Sequence, residues 1–304
     1  MDKILEKLAT EQPNPNTTDI DLYSTYEVLK AISDEDKTVA FKVADELDAV
    51  NSLTECYIET INNGGRIFYM GCGTSGRLAY IDAAELIPTY NVPEDLVIPI
   101  MAGGLNAMRR AKEFAEDQEK DGINELKANN LTNKDFVIGI AASGRTPFVV
   151  EGLKYAKELG CKTGCIVCNK NTVMGSMVDY PVEIETGPEI VRGSTRMKSA
   201  TAQKLALNMI STTVFVRLGK TYKNLLMNGK ATTYKAEQRH IRTLISEAHL
   251  SEEEAVNLLK QTNDDPTVAL TMALTKLNID EAKQLLQEHN NRIREAVNKY
   301  NENK

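Results

Sequence analysis

The sequence contains no tryptophan and only three histidines among its 304 residues, at positions 240, 249 and 289. All three lie in the last third of the chain. Neither a Ser-His-Asp triad nor a histidine-rich zinc site can therefore be built from residues 1–239 alone. Acid–base chemistry in that part of the chain must depend on carboxylates, lysine, tyrosine or cysteine.

Cysteine is also scarce, with five residues, and this odd number in a long chain gives no reason to expect a disulfide framework. Cys161, Cys165 and Cys168 lie close enough in sequence to raise the alternative of a metal cluster, but their spacing is not that of a zinc ribbon. Cys165 and Cys168 flank an Ile-Val pair, which favours small buried thiols in a strand.

Positive charge is in deficit, with 36 Lys and Arg against 43 Asp and Glu and a formal net charge of -7. This balance argues against general binding to nucleic acid or to an anionic membrane, although a local basic pocket is compatible with it. Residues 200–216 are among the most apolar, yet Gln203, Lys204 and Asn208 interrupt them. The first residues, MDKILE, lack the apolar core of a signal peptide. We expect a cytoplasmic protein with no membrane or nucleic-acid partner.

Short apolar runs alternate with helical stretches through the middle of the chain. Residues 1–18 resemble an extended arm, and residues 22–62 have helical periodicity. Strands are predicted at 66–70, 96–100, 135–140, 165–168 and 180–184, and Pro99 predicts that the second is short or near an edge. The helices between them include a long one at 106–129, and a buried helix is expected at 199–218. This alternation predicts an α/β fold with a doubly wound parallel sheet.

The strands are predicted to stop beyond residue 222, where helix-start signals take over. Ser251 opens a capping box, Asp265 precedes a proline at the first helical position, and Asn278 begins a third helix. These signals predict a small three-helix bundle. We divide the chain into an arm with helices (1–54), the sheet domain (55–222) and a helical C-terminal region (223–304).

Three loops after predicted strands combine Ser or Thr with Gly and Arg. They are GCGTSGR at residues 71–77, AASGRTP at 141–147, and GPE at 187–189 followed by GSTRMK at 193–198. Ligands of open parallel sheets bind beyond the carboxyl ends of the strands. Hydroxyls, glycines and helix N-termini in that position suit a phosphate group. The alternative is that these hydroxyls only cap helices, as Ser and Thr often do.

The spacing of Gly71, Gly73 and Gly76 also matches the dinucleotide-binding fingerprint. That fingerprint expects a carboxylate at the end of the second strand to hold the ribose. Here the second strand ends in MAGG, with no carboxylate, and hydroxyls inside the loop suit a monophosphate better than a pyrophosphate. The sequence therefore favours a phosphate ester over NAD.

Two carboxylates are candidates for acid–base chemistry. Glu85 lies among apolar residues near the end of the helix that starts at the first loop, where burial would raise its pKa and make it a general acid. An ordinary surface glutamate is the alternative for this position. Glu116 falls opposite the apolar side of the predicted long helix, so its periodicity predicts exposure.

Taken together, these motifs resemble the SIS (sugar isomerase) domain family of phosphosugar-binding proteins, and more narrowly the N-acetylmuramic acid 6-phosphate etherases. The resemblance rests on motifs in the family's order across most of the chain: TE at 10–11, NPNT at 14–17, GTSGRL at 73–78, DAAE at 82–85, AGG at 102–104, AED at 115–117, ASGRTP at 142–147, GPE at 187–189, GSTRMK at 193–198 and TAQK at 201–204. The terminal bundle is similar to the family's ubiquitin-associated-like tail.

The resemblance implies a set of site residues. Glu85 matches the family's general acid and Glu116 its second essential carboxylate. The residues expected to bind the phosphosugar are Thr74, Ser75, Gly76, Arg77, Ser143, Gly144, Arg145, Thr146, Glu189, Ser194, Thr195 and Lys198.

The resemblance also implies a reaction. The sugar opens to its aldehyde, a base removes the acidified proton on carbon 2, and D-lactate leaves from carbon 3. Water then adds to give N-acetylglucosamine 6-phosphate. A homodimer is implied, and neither a metal nor an organic cofactor. A non-catalytic phosphosugar sensor, similar to glucokinase regulatory protein, is the alternative; the presence of both Glu85 and Glu116 favours the enzyme.

The chain departs from the family's usual pattern at three places. LIPT stands at residues 86–89 where the family usually has CPPT, and KEFAED stands at 112–117 where it usually has VEGAED. LMNG at 226–229 replaces the expected Met-Val-Asp run. These departures leave the phosphate loops intact and concern the fit around the lactyl group.

Overall fold

The structure is a computed structural model that describes residues 8–110, 112, 114–227 and 234–302. The described chain forms two compact units. The first contains residues from 1–83 and 94–211, and the second contains 84–93 and the residues from 212 onward. The domain boundaries expected from the sequence stay a prediction. So does any effect of the departure at residues 226–229, which lies partly outside the described chain.

A five-stranded parallel sheet forms the centre of the first unit, as predicted. Its strands are β1 (Ile67–Gly71), β2 (Val97–Met101), β3 (Phe136–Ala141), β4 (Lys162–Val167) and β5 (Tyr180–Glu183), in the order β2-β1-β3-β4-β5. The edge position predicted for Pro99 is confirmed, because β2 is an edge strand where a missing N–H donor is tolerated.

Seven helices accompany the sheet in the described chain: α1 (Thr25–Ala44), α2 (Leu47–Asn62), α3 (Gly73–Tyr90), α4 (Glu119–Ala128), α5 (Pro147–Glu158), α6 (Val173–Met177) and α7 (Lys198–Arg217). Alternate side chains of β1 enter opposite layers, as the pleat requires. Phe68 and Met70 join a core with Phe148 of α5, whereas Tyr69 contacts Tyr57 of α2 and Asp82 of α3. The doubly wound arrangement is confirmed.

The long helix predicted at 106–129 is wrong. The structure has 3₁₀ turns at Leu105–Met108 and Ala115–Asp117, and α4 begins only at Glu119. Phe114 has a left-handed backbone with φ of 57°, which an α-helix cannot contain. Periodicity alone did not show this break, because apolar residues recur on both sides of it.

The second unit is helical, and its core includes Leu244, Leu259, Leu270 and Leu286. The predicted starts at Ser251, Asp265 and Asn278 are confirmed as the N-caps of α9 (Glu252–Gln261), α10 (Pro266–Thr275) and α11 (Ile279–Glu288). Two helices were not predicted, α8 (Tyr234–Ala248) and α12 (Ile293–Glu302). Strands do not stop at 222, because β6 (Thr221–Tyr222) pairs with β7 (Leu225–Leu226).

Candidate functional site

All three loops singled out from the sequence lead from strands to helix N-termini. The first lies between β1 and α3, the second between β3 and α5, and the third between β5 and α7. Because β1 and β3 pair directly, the first two loops start side by side at one edge of the sheet. Helix α7 brings the third loop to them, since Gln203 on α7 accepts a hydrogen bond from Ser75 at 2.9 Å.

The first loop turns tightly enough to require glycine. A Cβ atom on Gly71 would lie 2.7 Å from the backbone nitrogen of Gly76, and a Cβ on Gly76 would lie 2.8 Å from Met101 Cγ. The N–H of Gly76 donates to the carbonyl of Cys72 at 3.2 Å. Ser75 is buried in this turn, and its neighbour Thr74 is half-buried. The turn thus holds Ser75 in a fixed position at the carboxyl end of β1.

Arg77 supports the segment that follows β2. Its guanidinium donates to the carbonyls of Ala107 at 2.8 Å and Met108 at 3.2 Å. These bonds fix residues 105–108 against the first turn of α3. A direct contact of Arg77 with substrate stays a prediction, and its described bonds are those of a positioning residue.

The second loop carries Ser143, Gly144, Arg145 and Thr146. Ser143 Oγ accepts from the backbone N–H of Arg145 at 3.3 Å, which leaves the hydroxyl proton free to donate to a ligand. Gly144 has a φ of +66° and a Cβ there would lie 2.5 Å from Thr172 Cβ, so both backbone and space require glycine. Thr146 is the N-cap of α5 but makes no side-chain cap bond.

In the third loop a carboxylate caps the helix. Glu189 is fully buried and accepts from the backbone N–H groups of Lys198 and Ser199, each at 2.9 Å, and from the Ser199 hydroxyl at 2.7 Å. The carboxylate thus occupies the N-terminus of α7, where negative charge is favoured. Lys198 Nζ pairs with Glu35 at 2.6 Å and donates to the Pro188 carbonyl at 3.1 Å.

These contacts separate the residues predicted to bind the phosphosugar into two groups. Glu189, Lys198 and Arg77 are engaged with the protein itself. By contrast, the described contacts include no hydrogen bond from the side chains of four half-buried residues, Thr74, Thr146, Ser194 and Thr195. The alternative that the hydroxyls only cap helices does not explain Thr146 at α5, which makes no side-chain cap bond. At α7 the cap is the Glu189 carboxylate and not a hydroxyl of the loop.

The N-terminal arm also belongs to this edge of the sheet. Thr10 receives a hydrogen bond from Asn169 Nδ2 at 3.0 Å, and the same nitrogen donates to the Ala142 carbonyl of the second loop at 3.0 Å. Thr17 Oγ1 donates to the Ile190 carbonyl of the third loop at 2.8 Å. Sequence reasoning missed Asn169, because nothing local distinguishes it from any other residue after a strand.

Glu116 lies in the 3₁₀ turn at Ala115–Asp117 and is exposed, as its periodicity predicted. Its neighbour Ala115 is buried in the core and fixes the turn. Burial, followed by the nearby charge of Glu116, raises the pKa of Cys72 to about 11. Since Cys72 begins the first loop, the Glu116 carboxylate lies within electrostatic reach of the carboxyl end of β1.

The burial expected for Glu85 is wrong for the described chain. Glu85 is exposed on α3, because the buried face of that helix is formed by Asp82, Ala83 and Leu86. Asp82 is the buried carboxylate: it accepts from Tyr69 at 3.3 Å and from Ser211 at 3.0 Å. Burial raises the pKa of Asp82 to about 6, against hydrogen bonds from those two residues that lower it.

A cavity of about 410 Å³ adjoins the turn held by Arg77. It is lined by Asn106, Ala107 and three cations, Arg109, Arg110 and Lys112. These three cationic side chains are exposed. The net charge of the chain is compatible with a local basic pocket, but these residues could not be identified from the sequence, because charges on an irregular loop have no periodicity.

The cysteines are core residues. Cys165 lies in β4 and Cys168 directly follows it, both fully buried, and burial raises the pKa of each thiol to about 12. In the part of the chain that the structure describes, no three His, Cys, Asp or Glu side chains are grouped as metal ligands would be. None of the described helices combines the length and hydropathy needed to cross a membrane.

Comparison with known proteins adds family and fold. The profile of the glucokinase regulatory protein N-terminal SIS domain matches residues 49–157, and that of the SIS domain matches residues 109–213. The N-acetylmuramic acid 6-phosphate etherase of Geobacillus sp. (strain WCH70) is 43% identical over 97% of this chain and 100% of its own length. That of Clostridium beijerinckii is 45% identical, with 96% of each chain covered.

Solved structures agree on the sheet unit. A phosphoheptose isomerase from Francisella tularensis superposes with a TM-score of 0.52 at 13% identity, covering 64% of this chain and 100% of its own. Phosphoheptose isomerase GmhA from Neisseria gonorrhoeae gives 0.51 at 16% identity, covering 63% and 99%. At such identities the likeness concerns the fold alone.

Proposed function

This chain belongs to the N-acetylmuramic acid 6-phosphate etherase family, and we propose from this that it cleaves the lactyl ether of N-acetylmuramic acid 6-phosphate. The observation that carries the proposal is identity of 43–45% to such etherases over nearly the whole chain. Supporting it, hydroxyl-bearing loops meet at one edge of the sheet, where phosphate esters bind in parallel folds.

The substrate's phosphate is bound by the hydroxyls and backbone N–H groups of the loops. Ser75 and Ser143 donate to its oxygens, together with Thr74, Thr146, Ser194 and Thr195, which are half-buried. Gly76 and Gly144 let the backbone approach the phosphate closely. Arg145 adds positive charge beside Ser143. Arg77, Glu189 and Lys198 act indirectly, by fixing the segments that carry the other ligands.

The reaction proceeds by elimination and hydration. The ring opens to an aldehyde, which makes the proton on carbon 2 acidic, and a base removes it. The bond from carbon 3 to the ether oxygen then breaks as Glu85 protonates that oxygen, releasing D-lactate and leaving an unsaturated aldehyde. Water adds across the double bond to give N-acetylglucosamine 6-phosphate. Glu116 is the second carboxylate of the site. Elimination of D-lactate followed by addition of water involves no net oxidation or reduction, so no redox cofactor is needed, and the proton transfers fall to side chains.

The substrate carries a second anion, the carboxylate of its lactyl group. The cavity lined by Arg109, Arg110 and Lys112 lies beside the first turn of α3 and offers three cations to it. Arg109→Ala with Arg110→Ala should raise KM for N-acetylmuramic acid 6-phosphate up to about fivefold, the scale of an exposed ion pair. Affinity for N-acetylglucosamine 6-phosphate, which lacks the carboxylate, should stay unchanged. An equal loss for both compounds would assign these cations to the phosphate instead.

A homodimer is part of this proposal. Leu22, in a 3₁₀ turn before α1, is 80% exposed, and Tyr26 and Leu29 on α1 are 75% and 60% exposed. Ile81, one turn before Glu85 on α3, is 44% exposed. A second copy covering such faces would also shield Glu85 from water, as a general acid requires. Sedimentation should show a dimer at micromolar concentration, and a fully active monomer would contradict this. We also place the protein in the cytoplasm, in keeping with its five free cysteines.

The deciding experiment is release of D-lactate from N-acetylmuramic acid 6-phosphate by the purified protein. N-acetylmuramic acid without the phosphate is the control, and should release little lactate because the loops have no anion to bind. The second candidate, a phosphosugar sensor, is favoured only by the profile match over residues 49–157. Tight binding of the substrate with no lactate release would support the sensor and overturn the etherase.

A further inference from the structure

A buried amide beside Ser75 is only half satisfied. Gln203 on α7 is 1% exposed, and its Oε1 lies 2.9 Å from Ser75 Oγ, so the serine donates its proton to the amide. The amide nitrogen, Nε2, is buried and makes no geometrically sound hydrogen bond in the described chain. Its neighbour is the sulfur of Cys168, a weak acceptor. A buried N–H₂ group with so poor an acceptor is unfavourable. In this arrangement Ser75 also has no proton to offer an anion.

One rotation of the Gln203 amide would change both the poorly bonded Nε2 and the engaged Ser75 proton. A half-turn about the last side-chain torsion of Gln203 exchanges the amide oxygen and nitrogen while leaving every other atom in place. Nε2 then donates to Ser75 Oγ, which accepts as readily as it donates. The Ser75 hydroxyl then has a proton that it can donate to a bound anion. The thiol of Cys168 lies beside the same amide and donates its single proton to the Ser199 carbonyl at 3.4 Å. In the exchanged arrangement that proton turns from the carbonyl to Oε1.

We propose that Gln203 is a positioning residue for the phosphate: when the phosphate binds, the amide turns over, Nε2 donates to Ser75 Oγ, and Ser75 donates to a phosphate oxygen. The inference rests on the proposed function, in which the first loop binds the phosphate. Two donors in series polarise one another, and the final bond is charge-assisted. The same residue links α7, and with it the third loop, to the first loop. Gln203 thereby couples the closing helix of the sheet unit to the ligand.

A thermodynamic cycle tests this. Binding of N-acetylglucosamine 6-phosphate is measured by calorimetry for Gln203→Met, Ser75→Ala and the double variant. Gln203→Met, of similar size but without donors, should weaken binding roughly tenfold, in the range of a lost bond to a charged system. In the Ser75→Ala background the same change should have almost no effect, because Gln203 acts through that hydroxyl. Ser143 shares no described hydrogen bond with Gln203. The losses in binding free energy caused by Gln203→Met and by Ser143→Ala should therefore be additive when the two are combined.

A second variant gives a readout that a merely structural role would not move. In Gln203→Glu the ionised carboxylate can only accept the Ser75 proton, so binding should fall further than in Gln203→Met. As the pH is lowered and the introduced carboxyl becomes protonated, it regains a donor. Its affinity relative to the parent protein at the same pH should then rise. Thermal unfolding checks the fold of each variant, and Gln203→Glu serves alone if the methionine variant does not fold.

The outcomes are distinguishable. No binding of the phosphosugar by the parent protein would mean that the proposed function itself fails. If the parent binds and Ser75→Ala weakens binding, two results overturn the role of Gln203. One is unchanged affinity in Gln203→Met. The other combines two observations. Gln203→Met weakens binding as much in the Ser75→Ala background as in the parent protein, and the loss of affinity in Gln203→Glu does not change with pH.

Discussion

The loops that carry the hydroxyls and the segments that carry the two predicted catalytic carboxylates differ in how firmly the protein holds them. Ser75 is fixed by close glycine packing and by Gln203, and the start of α7 is capped by the fully buried Glu189. Glu85 and Glu116, in contrast, are exposed, and Glu116 lies two residues after Phe114, whose backbone is left-handed.

This difference indicates a division of labour. An anion site works best when its donors are preorganised, and the sheet unit provides this within one chain. A general acid needs a dry environment around the reacting atoms, which an exposed glutamate does not have by itself. Substrate binding is therefore expected to be a property of the rigid loops, whereas catalysis depends on whatever covers the carboxylates.

The largest effect is expected at Glu85. Glu85→Gln keeps the shape and one hydrogen-bond donor but cannot transfer a proton, so turnover should fall by about 10²–10⁴-fold while substrate affinity is kept. Exchange of the carbon 2 proton with deuterated solvent should persist, because the base is unaffected. D-lactate release measures the first effect and NMR the second. The matched control is Glu94→Gln, at another exposed glutamate. Lactate release by Glu85→Gln at a near-parental rate would show that Glu85 is not the general acid.

Changes in the loops should affect binding instead. Ser75→Ala and Ser143→Ala each remove a hydroxyl donor to a charged group, worth roughly 1.5–3 kcal/mol. Calorimetry with N-acetylglucosamine 6-phosphate should show weaker binding in both. The thermal unfolding midpoint should change little in Ser143→Ala and fall in Ser75→Ala, which leaves the buried Gln203 Oε1 without its donor. If affinity is unchanged in both variants, the phosphate does not bind at these loops.

Asp82 shows that the carboxylate buried on α3 has a structural task. Its pKa is raised from 3.8 to about 6, so between these values the unfolded chain ionises while the folded protein keeps its proton. Stability present below about pH 4 is therefore lost as pH rises through 6, by on the order of 3 kcal/mol. Urea unfolding across this range should show a flatter pH dependence for Asp82→Asn. Asp95→Asn, on the surface, should keep the parental dependence, and an identical slope in Asp82→Asn would refute the assignment.

The smallest effect concerns Phe114, at the position that is glycine in the family pattern implied by the sequence resemblance. Its φ is 57° and its side chain is 72% exposed, so it has backbone strain and little burial in return. Phe114→Gly should raise the free energy of unfolding by roughly 0.5–1 kcal/mol. This net gain is the cost of a left-handed backbone at a residue with a side chain, reduced by the larger backbone entropy that glycine loses on folding. Phe114→Ala keeps the strained backbone and should bring no such gain. Equal unfolding midpoints in urea for the two variants would show that the strain is absent.

Local patterns predicted much of this protein. The five strands, the edge position of Pro99 and the starts of α9, α10 and α11 follow from alternation and capping chemistry, which act over a few residues. The break at Phe114 could not be predicted in this way, because an aromatic residue fits a helical pattern and its backbone is set by the packing of Ala115.

The sequence by itself determined the sheet, the three hydroxyl-bearing loops and the family, since each depends on residue types in a fixed local order. Only the tertiary structure decided which side chains remain available to a ligand. Glu189, Lys198 and Arg77 are adjacent to the loops in sequence, yet their partners come from α7, α1 and the segment after β2. The same holds for α3, where the fold buries Asp82 and leaves Glu85 exposed. One face of this helix packs against the core and another face is exposed.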